Sequence, residues 1–159
     1  MTHANIRLSL KAVNADVPEA LKEHGIQPSA QRVAVADYIL DTKEHPSADV
    51  VWSRVRERFP MISRATVYNT LNLFVEKGLI RQFVLSEGNV VFDPNTERHH
   101  HFVDDATGAI YDIPWNELRV SNVEDLTGFG VREYQVVVRG KKLRMPSEKA
   151  PPKKRPTKK

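Results

Sequence analysis

The chain has 159 residues, enough to bury one generous core or two small ones and too few for a large multidomain enzyme. Hydrophobic residues make up 40% and charged residues 28%, and no apolar run approaches the roughly 20 residues of a membrane span, so a transmembrane protein is excluded. Met1 to Val13 shows no uninterrupted apolar stretch leading to a small-residue cleavage site, and the expectation is a cytoplasmic protein. The complete lack of cysteine removes disulfides, thiolate catalysis and every Cys-based zinc or iron–sulfur site. Any metal must be held by His, Asp or Glu.

The formal net charge of +4 is unevenly spread. Residues 139–159 carry ten Lys or Arg and one acid, Glu148, which leaves residues 1–138 with 14 basic and 19 acidic groups, a net of −5. The Pro/Lys-rich end from about 141 to 159 is expected to be disordered, able to touch phosphates without reading sequence or simply to keep the protein soluble.

In chain order, VPEALKEHG reads as a short helix, with Pro18 in its first turn and Gly25 as its stop; residues 1–15 before it read as flexible. Ser29 caps a second helix with an apolar face of Val33, Ala36, Tyr38, Ile39 and Leu40. After His45-Pro46, Ser47 caps a third, in which Val51, Val55 and Phe59 recur every four residues until Pro60. Ser63 caps a fourth, with Val67, Leu71, Phe74 and Val75 facing inward and Gly78 as its stop. The period then changes: LIRQFVLSEGNVVFD reads as a hairpin about Ser86 to Asn89, and helices followed by a hairpin make a winged helix. A second hairpin, HHHFV with AIYDI, follows Pro94-Asn95. Beyond it a helix is expected from about Trp115 to Leu126 and a strand from Val131 to Arg139. The fold class is α+β: a winged helix-turn-helix over residues 1–93 and a small α/β unit over 94–140.

Burial of Val67, Leu71 and Phe74 leaves Arg64, Tyr68 and Asn72 on the opposite side of the fourth helix, with Ala65 and Asn69 beside them. Arg can bridge two guanine acceptors, Asn can pair with adenine, and small or aromatic side chains can touch a thymine methyl. A solvated amphipathic helix would show the same pattern; the hairpin after it favours DNA. Arg54, Arg56 and Arg58 are placed to touch phosphates.

His99-His100-His101 lies in a strand, so His99 and His101 share one face and His100 the other. A hairpin turning midway between Ala106 and Thr107 sets Asp112 opposite His101. Two imidazoles and a carboxylate on one sheet surface suit Fe(II), Mn(II) or Zn(II), and His45 and Asp93 could complete five ligands. Spacing alone leaves packed or solvated histidines equally open, and least supports the chain-distant His45 and Asp93.

PSAQR, HPSAD, SRATVYNTL, VFD, the HHH segment and TGAIYDI occur in the order found in the ferric uptake regulator family, which the chain resembles from about Gly25 to Gly140. Within it the sequence is similar to the peroxide-responsive and iron response regulator branches. The resemblance implies a homodimer with a C-terminal dimerisation domain. It implies one regulatory Fe2+ or Mn2+ per subunit on His45, Asp93, His99, His101 and Asp112, and a DNA-recognition helix including Arg64, Ala65, Thr66, Tyr68 and Asn69. Many members hold a structural zinc on two Cys-x-x-Cys pairs; the first pair's positions are Asp104 and Thr107 here. The histidine usual in the final strand aligns with Tyr134, and His100 is left as a remnant of a second site or a haem contact.

The expected function is therefore metal-dependent transcriptional regulation, most simply repression, at an A·T-rich palindromic operator of double-stranded DNA, with iron or peroxide as the signal, and not catalysis. The alternatives are a haem-responsive iron regulator, a metal-independent DNA-binding protein driven by its basic tail, and, from a different class, a hydrolytic metalloenzyme. No additional base or oxyanion group in a recognisable pocket motif supports the last.

Overall fold

The structure, a computed structural model, describes residues 16–86 and 88–143. The expectations for residues 1–15 and for the basic tail past Leu143 fall outside the described residues.

Each of the first four elements begins where a short polar side chain can take up an otherwise unpaired helical N–H. Asp16 accepts from the Glu19 N–H before α1 (Val17–Glu23), Ser29 from Arg32 before α2 (Ala30–Asp41), Ser47 from Val50 before α3 (Ala48–Val55) and Ser63 from Thr66 before α4 (Arg64–Glu76). Gly78, at φ 71°, reverses the chain after α4, a left-handed conformation that glycine takes without strain. The three longer helices pack their buried faces together: Val35 and Ile39 of α2, Val51 and Val55 of α3, and Val67, Leu71 and Phe74 of α4, closed by Leu21 of α1. α3 ends a turn earlier than its apolar spacing predicts, and Phe59 is 39% exposed instead of buried. The Trp52 indole N–H donates to the Ile62 carbonyl at 3.0 Å and fixes the turn that delivers α4.

β1 (Arg81–Ser86) and β2 (Asn89–Asp93) form the antiparallel wing, pinned to the helical core through Leu79, Ile80 and Phe92. β3 (His99–Asp104), β4 (Ile110–Pro114) and β5 (Val137–Gly140) make a second sheet in the order β4-β3-β5, with β3 antiparallel to β4 and parallel to β5. His101 pairs with Asp112, the register expected from the turn.

Two expectations fail in the link between β4 and β5. The helix predicted from Trp115 to Leu126 is a single 3-10 turn, Trp115–Glu117, followed by irregular turns, and the strand predicted from Val131 forms only at Val137–Gly140. The link is rich in turn formers, with Asn122 at φ 62° and Gly128 at φ 85°, and Leu126 and Phe129 stay exposed, so no apolar face is buried to reward helix formation. Among the described residues, the small C-terminal α/β unit is a three-stranded sheet with one 3-10 turn.

Asp104, buried at the end of β3, closes this sheet. Its Oδ2 accepts from the Thr107 hydroxyl at 2.7 Å, and its Oδ1 accepts from the Ala106 and Lys142 N–H groups at 3.2 and 3.4 Å. The neighbouring Asp105 N–H donates to the Gly140 carbonyl at 2.8 Å. These bonds, the Thr107 hydroxyl first, hold the Asp104 carboxyl below the ordinary carboxylate range. The β3–β4 turn is thereby fastened to the chain leaving β5.

Candidate metal centre and nucleic-acid interface

His45 stands just before α3, where Pro46 bends the chain and its carbonyl accepts the Phe92 N–H at 2.9 Å. This single backbone bond sets the α2–α3 loop beside Asp93, the last residue of the wing. β3 supplies His99 and His101 from one face, and β4 brings Asp112 opposite His101. His45, Asp93, His99, His101 and Asp112 each offer one donor atom, and all five lie within 4.8 Å of one another.

The contacts inside the cluster are short. Asp93 Oδ2 lies 3.2 Å from His45 Nε2, 2.9 Å from His99 Nε2 and 3.7 Å from His101 Nε2, while Asp112 Oδ1 lies 2.9 Å from His45 Nε2. The Nε2 atoms of His99 and His101 are 3.0 Å apart. His99 Nδ1 faces the Glu97 carbonyl at 2.8 Å, so its N–H donates there and Nε2 turns a lone pair toward the centre. Despite this crowding, His45 Nε2 and Asp93 Oδ2 are buried without a properly aligned hydrogen-bond partner. Buried polar atoms left in that state are uncommon. Opposite ligands at bonds of ~2.1 Å would stand ~4.2 Å apart, so the five donors need only a modest contraction to share one divalent ion. Three imidazoles and two carboxylates with no thiolate fit Fe(II), Mn(II) or Zn(II).

Burial by itself would lower the His45 pKa, but the close carboxylates of Asp112 and Asp93 outweigh it and raise it to about 9. Burial likewise opposes the charge on Asp93, yet the close imidazoles of His101, His45 and His99 outweigh it and hold this carboxyl far below its ordinary value. His99 is raised and Asp112 lowered for the same reason, each against its own desolvation. Without metal, protons occupy part of the place a cation would take.

Two participants were missed by sequence reasoning. Asn95 bridges the carboxylates: its N–H donates to Asp93 Oδ1 at 2.7 Å and its side-chain amide to Asp112 Oδ2 at 2.8 Å. The Asp-Pro-Asn turn was the available signal. Phe83, from the wing, sets its ring 4.5 Å from that of His101 and 5.8 Å from that of His99, edge to face. A Phe in a wing strand reads as ordinary core, and nothing in the sequence marks it otherwise.

His100 points away from the cluster, as alternation requires. It is completely buried, stacks at 4.4 Å on Trp115, and accepts the Val136 N–H at Nδ1 over 3.1 Å. One of its faces lies against Trp115, Nδ1 accepts the Val136 N–H, and Nε2 is enclosed.

On α4, Arg64, Ala65, Tyr68, Asn69 and Asn72 are exposed on the face opposite Leu71 and Phe74. Thr66 is half-buried, its hydroxyl 2.9 Å from that of Ser63 and its N–H bonded to the same cap, so much of its hydrogen-bonding capacity is spent within the helix. Arg64 and Arg56 both lie over the Trp52 ring, with guanidinium carbons 4.7 and 4.6 Å from the ring centroid. Arg54, Arg56 and Arg58 are all exposed.

No helix among the described residues is long and apolar enough to cross a membrane. The chain is 34% identical over 126 residues to the peroxide operon regulator of Bacillus subtilis, covering 77% of this chain and 86% of that protein. Its fold is similar to the Campylobacter jejuni peroxide stress regulator, with TM-score 0.60, 26% identity and coverage of 81% of this chain and 98% of that one. A zinc-bound manganese uptake regulator matches with TM-score 0.59 at 26% identity, over 79% of this chain and 97% of that one. The family model for the ferric uptake regulator family matches residues 23–139. With its winged helix, its C-terminal dimerisation domain and this match over most of its length, the chain belongs to the ferric uptake regulator family, a family of transcriptional regulators and not of enzymes.

Proposed function

We propose that this protein is a homodimeric, metal-dependent repressor in which one Fe2+ or Mn2+ per subunit is bound by His45, Asp93, His99, His101 and Asp112. The observation that carries the reading is the convergence of five donors from three places in the chain: the α2–α3 loop, the end of the wing, and the β3–β4 sheet. When bound, the ion supplies a positive charge that the two carboxylates and three imidazoles can share. His45 belongs to the DNA-binding domain (residues 1–93) and His99, His101 and Asp112 to the dimerisation domain (94–140), with Asp93 at the junction. Occupancy therefore favours one arrangement of the two domains over others, by as much as the ion prefers it.

In the dimer that arrangement spaces two α4 helices to match a palindromic, A·T-rich operator, with Arg64, Ala65, Tyr68 and Asn69 toward the bases and Thr66 at the helix start. Residues 141–159 add phosphate contacts without sequence preference. The signal is iron or peroxide, and loss of the ion releases the DNA. Anaerobic titration of chelator-stripped protein with Mn(II) and Fe(II), following metal uptake and binding to a labelled A·T-rich palindrome, tests the reading. Uptake near one ion per subunit, with DNA binding lost in His101→Ala and Asp93→Ala while the dimer persists, is the expected result. DNA binding equally strong with and without metal would sink it.

A further inference from the structure

The five-donor cluster is not the sole connection between the winged helix and the C-terminal sheet. Arg81, at the start of β1, forms an ion pair with Glu133 in the approach to β5. Arg139, within β5, donates from its guanidinium to the Leu85 carbonyl at the far end of β1. Between these two contacts lies Phe83, 8% exposed, whose ring meets the edges of His101 and His99, with the Arg81 guanidinium 5.5 Å from its centroid. β1 thus touches the C-terminal unit at both ends and the metal-ligand imidazoles in its middle. None of these contacts uses a donor atom that an ion would take.

We infer that β1 of the wing is a second, metal-independent fastening between the two domains, in which Phe83 is a positioning residue that couples ion binding to the wing. The Phe83 half of this inference rests on the proposed metal site; the Arg81–Glu133 and Arg139–Leu85 half does not. The argument is one of preorganisation. His99 and His101 must present Nε2 to a common point, and a ring packed edge-on against both imidazoles restricts their rotation before any ion arrives. The same ring excludes water from one side of the cluster, which strengthens the interaction of the donors with a cation. Because Phe83 belongs to the wing, displacing the wing removes that support. Conversely, an ion that fixes the two imidazoles favours the wing position in which Phe83 fits against them. The wing, part of the DNA-binding domain, is then an element whose place metal occupancy biases.

The fastening also sets how far the domains part when metal is removed. With only the cluster joining them, the apo protein would be free to open. With Arg81–Glu133 and Arg139–Leu85 intact, it retains a closed population, and the ion has less work to do.

The test uses the full chain in two measurements. Glu57→Cys and Glu124→Cys place spin labels on exposed positions of the two domains of a protein with no other cysteine, and labelled chains are diluted with unlabelled protein. In chelator-treated samples, the parent should keep a population at the metal-loaded distance, and Arg81→Ala with Glu133→Ala should shift it to longer, broader distances. Separately, Phe83→Ala should weaken Mn(II) binding about tenfold, as expected for losing two aromatic edge contacts, with Phe83→Leu falling between it and the parent. Thermal melts of the metal-free variants identify any that fail to fold, and Phe83→Leu, which keeps an apolar side chain there, serves if Phe83→Ala does.

An apo distance distribution unchanged by the Arg81→Ala/Glu133→Ala pair would overturn the fastening. Mn(II) affinity within twofold of the parent in both Phe83 variants would overturn the positioning role. If the parent takes up no Mn(II), the proposed metal site fails instead, and the label distances still decide the fastening.

Discussion

Mn(II) binding should keep tightening with pH well after an ordinary imidazole has lost its proton. His45 is held at about 9 by Asp112 and Asp93, so at pH 7.5 it is almost fully protonated and must release a proton before it can ligate. Between pH 7.5 and 8.5 the share of protein ready to bind then rises about eightfold, whereas an imidazole at its ordinary 6.5 would change it by only about 10%. His99, also raised, adds to this in the same direction. Stability of the metal-free protein should move oppositely. The His45 contribution is fully present below pH 6.5 and is lost as pH rises through 9, because the folded state holds the proton more tightly than the unfolded one. Asp93, with its folded value depressed, contributes above pH 3.8 and loses that contribution as pH falls. Competition titrations with a metal indicator at fixed ionic strength, at half-unit steps from pH 6.5 to 9, measure the affinity. Calorimetry in two buffers of different ionisation enthalpy counts the protons released. An affinity flat between pH 7.5 and 8.5, with no proton released, would refute the buried charge network as the competitor of the ion.

Three further outcomes follow from other parts of the structure. Phe74→Ala removes a completely buried ring where α2, α3 and α4 meet and should cost about 3–5 kcal/mol in urea unfolding; a loss under 1 kcal/mol would mean that the helices do not share this core. Arg64→Ala should reduce operator affinity by about 1–3 kcal/mol and flatten the preference among operator variants, while Mn(II) uptake stays as in the parent; an equal loss on random DNA would make Arg64 a phosphate contact. Truncation after Leu143 removes seven Lys or Arg with one Glu and leaves the Lys142 bond to Asp104 in place. The slope of log K against log salt should become shallower by about two or more with operator preference kept, and an unchanged slope would show that the tail does not touch DNA.

Three caps and two stops were legible because each depends on residues within one turn of the boundary, Ser29, Ser47 and Ser63 at the starts of α2, α3 and α4 and Gly25 and Gly78 after α1 and α4; the end of α3, a turn before Pro60, was not. The pairing of His101 with Asp112 was legible for a similar reason, since a tight turn fixes register locally. The link from 115 to 136 was misread. Its apolar residues Leu118, Val120, Val123 and Leu126 sit among turn formers, and whether such a segment becomes helical depends on a surface to bury against. Periodicity carries no information about that surface. The same limit separates the candidate ligands. His99 and His101 declare themselves by alternation, but His45 meets Asp93 through tertiary contacts, among them the Phe92 N–H bonded to the Pro46 carbonyl. Phe83 is the extreme case, an apolar residue whose role comes wholly from which rings it happens to face.

The fastening at Asp104 separates what holds this protein together from what it responds to. A hydroxyl and two backbone N–H groups, supplied by Thr107, Ala106 and the chain after β5, do there what elsewhere calls for a bound cation or a covalent cross-link. None of those groups is readily oxidised, extracted by a chelator or starved by scarcity of a nutrient. Dialysis against a strong chelator should therefore leave the scaffold standing, and a change in DNA binding after such treatment can be assigned to His45, Asp93, His99, His101 and Asp112 without correcting for collapse of the sheet beneath them.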